Sequence, residues 1–260
     1  MTLSRRGLPL ALRRWLGVGR SLRQYYGGGR ERRARLDRLH ARFVAPEDVA
    51  FDIGSHVGDR IASLRRLGVR VVAVEPQPHL AATLRFLYGR DAEVAIIEAA
   101  AGSREGSVTL NLNPDNPTVA TASGAFMAAA SDAEGWREQR WEGQIQVPRI
   151  TLDALIERFG LPRFVKIDVE GLEADVLQGL TQPVPTLSFE FTIIQRRVAL
   201  QALDECERLG GYHYNAALGE SGTLVHPRWL DADAIGAWIE RLPDAANSGD
   251  VYAVRPDADR

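Results

Sequence analysis

Two groups of residues have types and spacings that could do chemistry. The first is Asp52, Gly54, His56 and Gly58, with Glu75 seventeen residues further on. Asp52 ends an apolar run that starts at Val49, and Glu75 ends a second run over residues 69–74. A strand, a glycine turn, a helix and a second strand closed by an acid are the parts of a nucleotide-binding βαβ unit. A dinucleotide site needs glycine at the middle of G-x-G-x-x-G, so that the backbone can approach a pyrophosphate. Here that position is His56. Its side chain crowds a pyrophosphate, and Asp52 adds negative charge beside it. Both suit a nucleoside that carries a cationic amino group and a sulfonium, which describes S-adenosylmethionine. Glu75 would take the ribose hydroxyls. The free N–H groups at the start of the helix near Asp59 would receive a carboxylate.

The second group is Lys166, Asp168 and Glu170, which alternate with Val165, Ile167 and Val169. Period two puts the charges on one face of a strand and the aliphatics on the other. A central parallel strand is normally buried on both faces, so three charges at its carboxyl end need a reason. Ligands of open α/β sheets bind beyond those ends. Glu190 closes the next strand and belongs to the same edge. Methyl transfer to an oxygen is an in-line displacement, in which alignment supplies much of the acceleration. Asp168 would act as the base or orient the acceptor hydroxyl. Lys166 would keep that carboxylate ionised or stabilise an alkoxide. A hard divalent cation held by Asp168, Glu170 and Glu190 is another use of the same acids. The sequence does not itself support it, and no metal ligands are assigned.

These residues need elements to position them. Alternating strands and helices from residue 49 onward point to an α/β, doubly wound, mostly parallel sheet. A second helical pattern follows Pro76-Gln77-Pro78, and a third strand covers residues 93–97. Residues 107–112 alternate like an exposed strand, and residues 145–150 suit its partner. Between them lies an insert, 113–144, rich in Ala, Ser, Thr and Asn, which reads as a lid or acceptor-binding loop. Helices are expected over 151–159, with Thr151 as N-cap, and over 172–180, 194–209 and 229–242. Strands are expected over 186–191, 212–217 and 251–254. The main domain is placed at 46–260.

The chain has 260 residues, 45% hydrophobic and 25% charged, as expected of a soluble globular protein. Cys206 is the single cysteine, which excludes an internal disulfide and suits a reducing, cytoplasmic compartment. The five histidines show no metal-ligand spacing. Residues 1–42 hold 12 arginines against Glu31 and Asp37, a net charge of +10. The rest of the chain carries −12. Lys166 is the only lysine. The segment 1–45 reads as an arginine-rich helical extension broken at Gly27-Gly28-Gly29. Peripheral contact with anionic lipid is one use of it, and arginines paired with the acidic body are the other. No run approaches the length of a membrane span.

The chain resembles FkbM-type methyltransferases over residues 47–255. The resemblance rests on Phe51-Asp-Ile-Gly-Ser-His-Val-Gly58, Val72-Ala-Val-Glu-Pro76, Glu98-Ala-Ala-Ala-Gly102 and Ile150-Thr-Leu-Asp-Ala-Leu155. It is carried most specifically by Val165-Lys-Ile-Asp-Val-Glu-Gly-Leu-Glu173, followed by Val176-Leu-Gln-Gly179, Glu190 and Gly249-Asp-Val-Tyr-Ala253. It implies a class I methyltransferase Rossmann-like fold and S-adenosylmethionine-dependent methylation, usually of an oxygen on a sugar, lipid or secondary metabolite. It further implies that Asp52, Gly54, Gly58 and Glu75 bind the methionine and ribose parts. Ser55, His56 and Pro76 lie on the same turns, and Glu98 and Ala99 lie by the adenine. Ser55-His56 and Glu98 depart from the usual pattern. The expected partner is a small-molecule or glycan acceptor, the oligomeric state being left open. An RNA methyltransferase with a basic arm is disfavoured by the acidic body and the lack of an RNA-reading motif. A binding protein that keeps the pocket without catalysis is the other alternative.

Overall fold

Val49–Ile53 is buried at every position, as a continuous apolar run in a central parallel strand should be. It forms β1 of a sheet that also contains β2 (Arg70–Val74), β3 (Val94–Ile97), β7 (Phe164–Ile167), β8 (Thr186–Thr192), β9 (His213–Leu218) and β10 (Ser248–Val254). The computed structural model describes residues 8–256. The strand order is β3-β2-β1-β7-β8-β10-β9. Only β10 runs antiparallel to its neighbours in this sheet. The chain winds outward from β1 to β3 and returns to β7 on the other side of β1. The order therefore reverses between β1 and β7, and a crevice opens there beyond the carboxyl ends of the strands. The fold is the doubly wound, mostly parallel α/β architecture of class I methyltransferases, with a helical extension at its start.

Helices cover both faces. On one face, α6 (Leu152–Phe159), α7 (Glu173–Gln178), α8 (Arg196–Gly210) and α9 (Ala232–Arg241) supply much of the larger core. Thr151 caps α6 by accepting from the Ala154 N–H at 3.1 Å. On the other face, α3 (Asp59–Arg66) and α4 (Pro78–Tyr88) pack over β1, β2 and β3. A smaller sheet pairs β5 (Gly106–Leu112) with β6 (Gly143–Ile150), and β4 (Ala100–Ala101) joins its edge.

The insert is ordered. It contains α5 (Gly124–Asp132), which sequence periodicity did not indicate. Ser123 caps this helix through the Phe126 N–H at 3.0 Å. Phe126 is fully buried, edge-on to Trp136 and Trp141.

The extension forms α1 (Leu10–Tyr26) and α2 (Gly29–His40), with the break at the expected glycines. A buried polar chain ties α2 to α3. Ser63 Oγ donates to Asp37 Oδ1 at 2.7 Å and so accepts from His40 Nδ1 at 2.9 Å. Asp37 also receives two bonds from Arg66, at 2.8 and 2.6 Å. Burial, aided by the Arg60 charge, pushes the His40 imidazole down from 6.5 to about 3. Unfolded chains take up a proton near pH 6.5 that folded chains refuse until about pH 3. Stability is therefore lost as pH falls through that window, by about 1.4 kcal/mol per pH unit for this one group. His40→Gln should remove that share of the slope in urea denaturation between pH 7 and about 5. An unchanged slope would show that His40 does not titrate in this way.

Candidate active site

The crevice between β1 and β7 widens into a cleft. Its floor is the turn after β1. Gly54 has φ +84°, a left-handed conformation that glycine adopts without strain. A β-carbon there would overlap the carbonyl oxygen of Asp168. The glycine thus lets two strand-end turns touch. His56 follows with φ +50°, and its N–H donates to Glu75 Oε2 at 2.9 Å. The Gln77 N–H donates to Glu75 Oε1 at 2.8 Å. Each oxygen of Glu75 thus holds one backbone donor and keeps a lone pair. Burial pushes this carboxyl up to about 8. Ala99, Ala100, Ala101, Val108 and Leu110 make an apolar wall beside it.

The opposite end of the cleft is charged. Arg60, on the first turn of α3, donates to Asp52 Oδ1 at 2.9 Å and to the Gly54 carbonyl at 2.8 Å. Its Nη1 lies 3.1 Å from Asp168 Oδ2. Lys166 Nζ stands 2.7 Å from Asp250 Oδ1 and 3.5 Å from Asp168 Oδ2. Burial alone would raise Asp168, but the Lys166 ammonium and the Arg60 guanidinium outweigh it and hold the carboxyl at about 2. Burial, and then the Asp168 charge, push Glu170 and Glu190 well above the carboxylate range. Glu173 accepts from the N–H groups of Val169 and Gly171 at 3.1 and 3.2 Å. It ties the turn rather than facing the cleft.

Asp168, Glu170 and Glu190 bring one oxygen each within 4.8 Å of one another. That spacing would admit a hard cation. However, Asp168 Oδ2 already faces two positive groups, and a third positive charge there is repelled. The arrangement fits a metal poorly, and no chemistry is derived through one.

The insert roofs the cleft and is fastened to all three strand-end turns. Gln77 Nε2 donates to the Pro117 carbonyl at 2.9 Å, and Thr121 Oγ1 donates to the Glu170 carbonyl at 2.7 Å. Thr118 Oγ1 lies 3.4 Å from His56 Nε2. The roof is held from outside by α1. Arg13 is buried and pairs with Asp115 and Glu142. Further along α1, Tyr25 enters the cleft wall edge-on to His56. The Tyr26 hydroxyl donates to the Val57 carbonyl at 2.9 Å.

Of the residues singled out in the sequence, Gly54, His56, Glu75, Pro76, Ala99, Asp168 and Glu170 line the cleft. Several others are placed differently. Asp52 is fully buried beneath the glycine turn, and the charge expected to meet an amino group meets Arg60 instead. Ser55 Oγ donates to the Asp52 carbonyl at 2.7 Å and serves the turn. Gly58 has φ +83° and packs against Leu84 and Tyr88. Glu98 points away to Arg85 at 2.7 Å, so Ala99 alone of that pair lines the cleft. Lys166 and Glu190 lie behind Asp168. Nor do Lys166, Asp168 and Glu170 share a strand face, because β7 stops at Ile167 and Glu170 has φ +56°. A turn brings these charges together. Sequence reasoning missed Arg60, Asp250 and Tyr25. Arg60 follows the glycine turn directly and could have been sought there; Asp250 lies in the Gly249-Asp-Val-Tyr-Ala253 motif but was given no role, and nothing in the sequence pointed to Tyr25.

Residues 52–204 match the family described as the methyltransferase FkbM domain. The hexuronic acid methyltransferase AglP of Haloferax volcanii is 28% identical over 145 residues, which are 55% of this chain and 54% of that protein. The chain thus spans about half the length of the curated relative it matches. Two solved structures overlap it more loosely. One is precorrin-6Y C5,15-methyltransferase from Geobacter metallireducens, with 12% identity and a TM-score of 0.44 over 86% of this chain and 87% of that one. The other is Aeropyrum pernix fibrillarin with natively bound S-adenosyl-L-methionine, with 11% identity and a TM-score of 0.41 over 82% and 68%. The family match covers more than half the chain and includes the glycine turn, Glu75 and the Lys166–Glu173 turn, and on that ground this protein belongs to the FkbM methyltransferase family.

Proposed function

We propose that this protein transfers the methyl group of S-adenosylmethionine to a hydroxyl oxygen of a sugar, lipid or secondary metabolite. The observation that carries the reading is the pairing of Glu75 and Asp168 across one cleft. Glu75 is fixed by two backbone N–H groups with a lone pair left on each oxygen, as an acceptor of two vicinal ribose hydroxyls needs. The alanine wall at residues 99–101 suits a flat base. The cleft is lined by the carboxyl groups of Asp59, Glu75, Asp168, Glu170 and Asp175 against the cations Arg60 and Arg149; a cationic ligand draws the carboxyls that burial raises towards their ionised forms, and a polyanion does not. The same balance argues against a nucleic-acid acceptor. A hexuronic acid acceptor, as in the name of the Haloferax relative, is one member of the proposed class.

When bound, the cofactor supplies a methyl group on a sulfonium that departs as a neutral thioether. The rest falls to the chain. Asp168, held at about 2, is too weak a base to take an alcohol proton at neutral pH. Its role is to accept the acceptor's O–H bond and align the oxygen. Lys166 and Arg60 keep it ionised for that task. Glu170 borders the cleft with a buried Oε2 that has no hydrogen-bond partner. Burial makes it the stronger base, so it takes the proton as the oxygen–carbon bond forms. A cationic cofactor beside it favours its ionised form beforehand. Residues 117–122 of the insert, pinned over the cleft, shape the acceptor site and keep water out.

Calorimetry with S-adenosylhomocysteine tests the cofactor half. The wild type should bind, and Glu75→Ala should weaken binding by about tenfold to a hundredfold, the loss of two hydrogen bonds. Equal affinity in the two would remove Glu75 from the site. Asp168→Ala should bind the product like wild type but lose turnover by about 10² to 10⁴ with an accepted substrate. Wild-type rates would remove Asp168 from the mechanism.

A further inference from the structure

The first helix is inside out. A surface helix normally turns its apolar stripe to the core and its polar face to water. In α1 the inversion holds for the first turns: its buried residues are Arg13, Gly17, Val18 and Ser21, and the apolar Leu22, Tyr25 and Tyr26 reach the body only near its end. Arg13 is held by Asp115 and Glu142, and Gly17 lies so close to the insert that a β-carbon would meet the Pro114 carbonyl oxygen at 2.9 Å and the Pro117 ring at 3.0 Å. The outward face carries Leu12, Trp15 and Leu16, which are 46%, 55% and 40% exposed. Leu8, in the turn before, is 38% exposed. At about 100° per residue, Leu12, Trp15 and Leu16 fall within one third of the helix circumference. Five of the nine exposed large apolar side chains among the described residues lie between positions 8 and 16, and three of them, Leu12, Trp15 and Leu16, share this one stripe, whereas Leu10 lies on another side of the helix.

We infer that the outward face of α1 docks this protein on an anionic lipid surface. The patch supplies the apolar side chains, with a tryptophan of the kind that sits at headgroup level. The charge chooses the occupant. Residues 1–42 carry +10 on a chain whose remainder carries −12. Arg20 and Arg23, both exposed, continue the same helix beyond Leu16. A second copy of the chain would bring the same positive charge against itself. Nucleic acid would meet the arginines but would gain little from three exposed leucines and a tryptophan. An anionic bilayer accepts both. No helix among the described residues is long and apolar enough to cross a membrane, so the contact is peripheral. The inference stands apart from the methyl-transfer reading, since none of these side chains is part of the cleft.

The test is vesicle flotation of the full chain with phosphatidylcholine alone and with phosphatidylcholine and phosphatidylglycerol in equal parts. The protein should float with the anionic vesicles and remain below with the neutral ones. The double variant Leu12→Glu/Trp15→Glu should lower lipid binding by about tenfold or more. It should leave S-adenosylhomocysteine affinity and the melting temperature near wild type, because neither side chain is buried. A milder variant, Trp15→Ser, should show a smaller loss in the same direction. The inference is overturned by any of three results. These are no flotation with anionic vesicles, flotation that the variants do not change, or a lipid-free dimer that the double variant converts to monomer. The last would make the patch an interface between copies.

Discussion

Too many carboxylates for the cations beside them is the constraint that organises this molecule. Asp52, Asp168, Glu170, Glu173, Glu190 and Asp250 converge on the ends of four neighbouring strands, and Lys166 and Arg60 are the cations among them. A buried charge without a partner costs several kcal/mol, so each acid must be paired, hydrogen-bonded or protonated. The structure uses all three solutions. Arg60 and Lys166 hold Asp168 ionised, the backbone holds Glu173, and burial pushes the Glu170 and Glu190 carboxyls towards the protonated form. The pattern separates carboxyl groups of one chemical type, Asp168 downward and Glu170 and Glu190 upward, because their surroundings push them in opposite directions.

That arrangement accounts for the one lysine in the chain. Arginine presents a planar fork and holds its charge, which suits the triple bridge of Arg60 to Asp52, Gly54 and Asp168. A compact ammonium at the end of a flexible stem fits the narrower space between Asp168 and Asp250. The roof depends on the same turns. Because the insert is bonded to Gln77 and to the Glu170 carbonyl, the groups that fix the turn after β2 and the acidic turn after β7 also fix what covers them.

The sequence made the sheet and most of its helices legible because periodicity reports burial, and burial is what the sheet dictates. The strands at 49–53, 70–74 and 186–192 and the cap at Thr151 follow from local chemistry. The cleft was legible where a turn is required by the chain itself, as at Gly54 and Glu75. It was not legible where pairing is set by tertiary distance. Asp52 reads as a ligand residue until Arg60 is seen beside it, and Glu98 until Arg85 is. Lys166, Asp168 and Glu170 alternate like a strand face, yet the strand ends one residue after Lys166, and the alternation is coincidental with a turn. The helix in the insert, 124–132, was hidden because its alanines and glycine carry little periodic signal and its order comes from Phe126 packing against two distant tryptophans.

The partner of Lys166 has one more consequence. Asp250 lies on β10, well beyond residue 204, where the family match ends. Tyr25 and Arg13 lie well before its start at 52. The matched stretch thus makes contacts here with residues outside it. Excised, it would leave a buried ammonium without its nearest counter-charge, the edge of β8 bare to other chains, and the insert without its outer brace. The matched segment holds most of the cleft, and the flanks on either side of it supply the counter-charge and the brace that the cleft leans on.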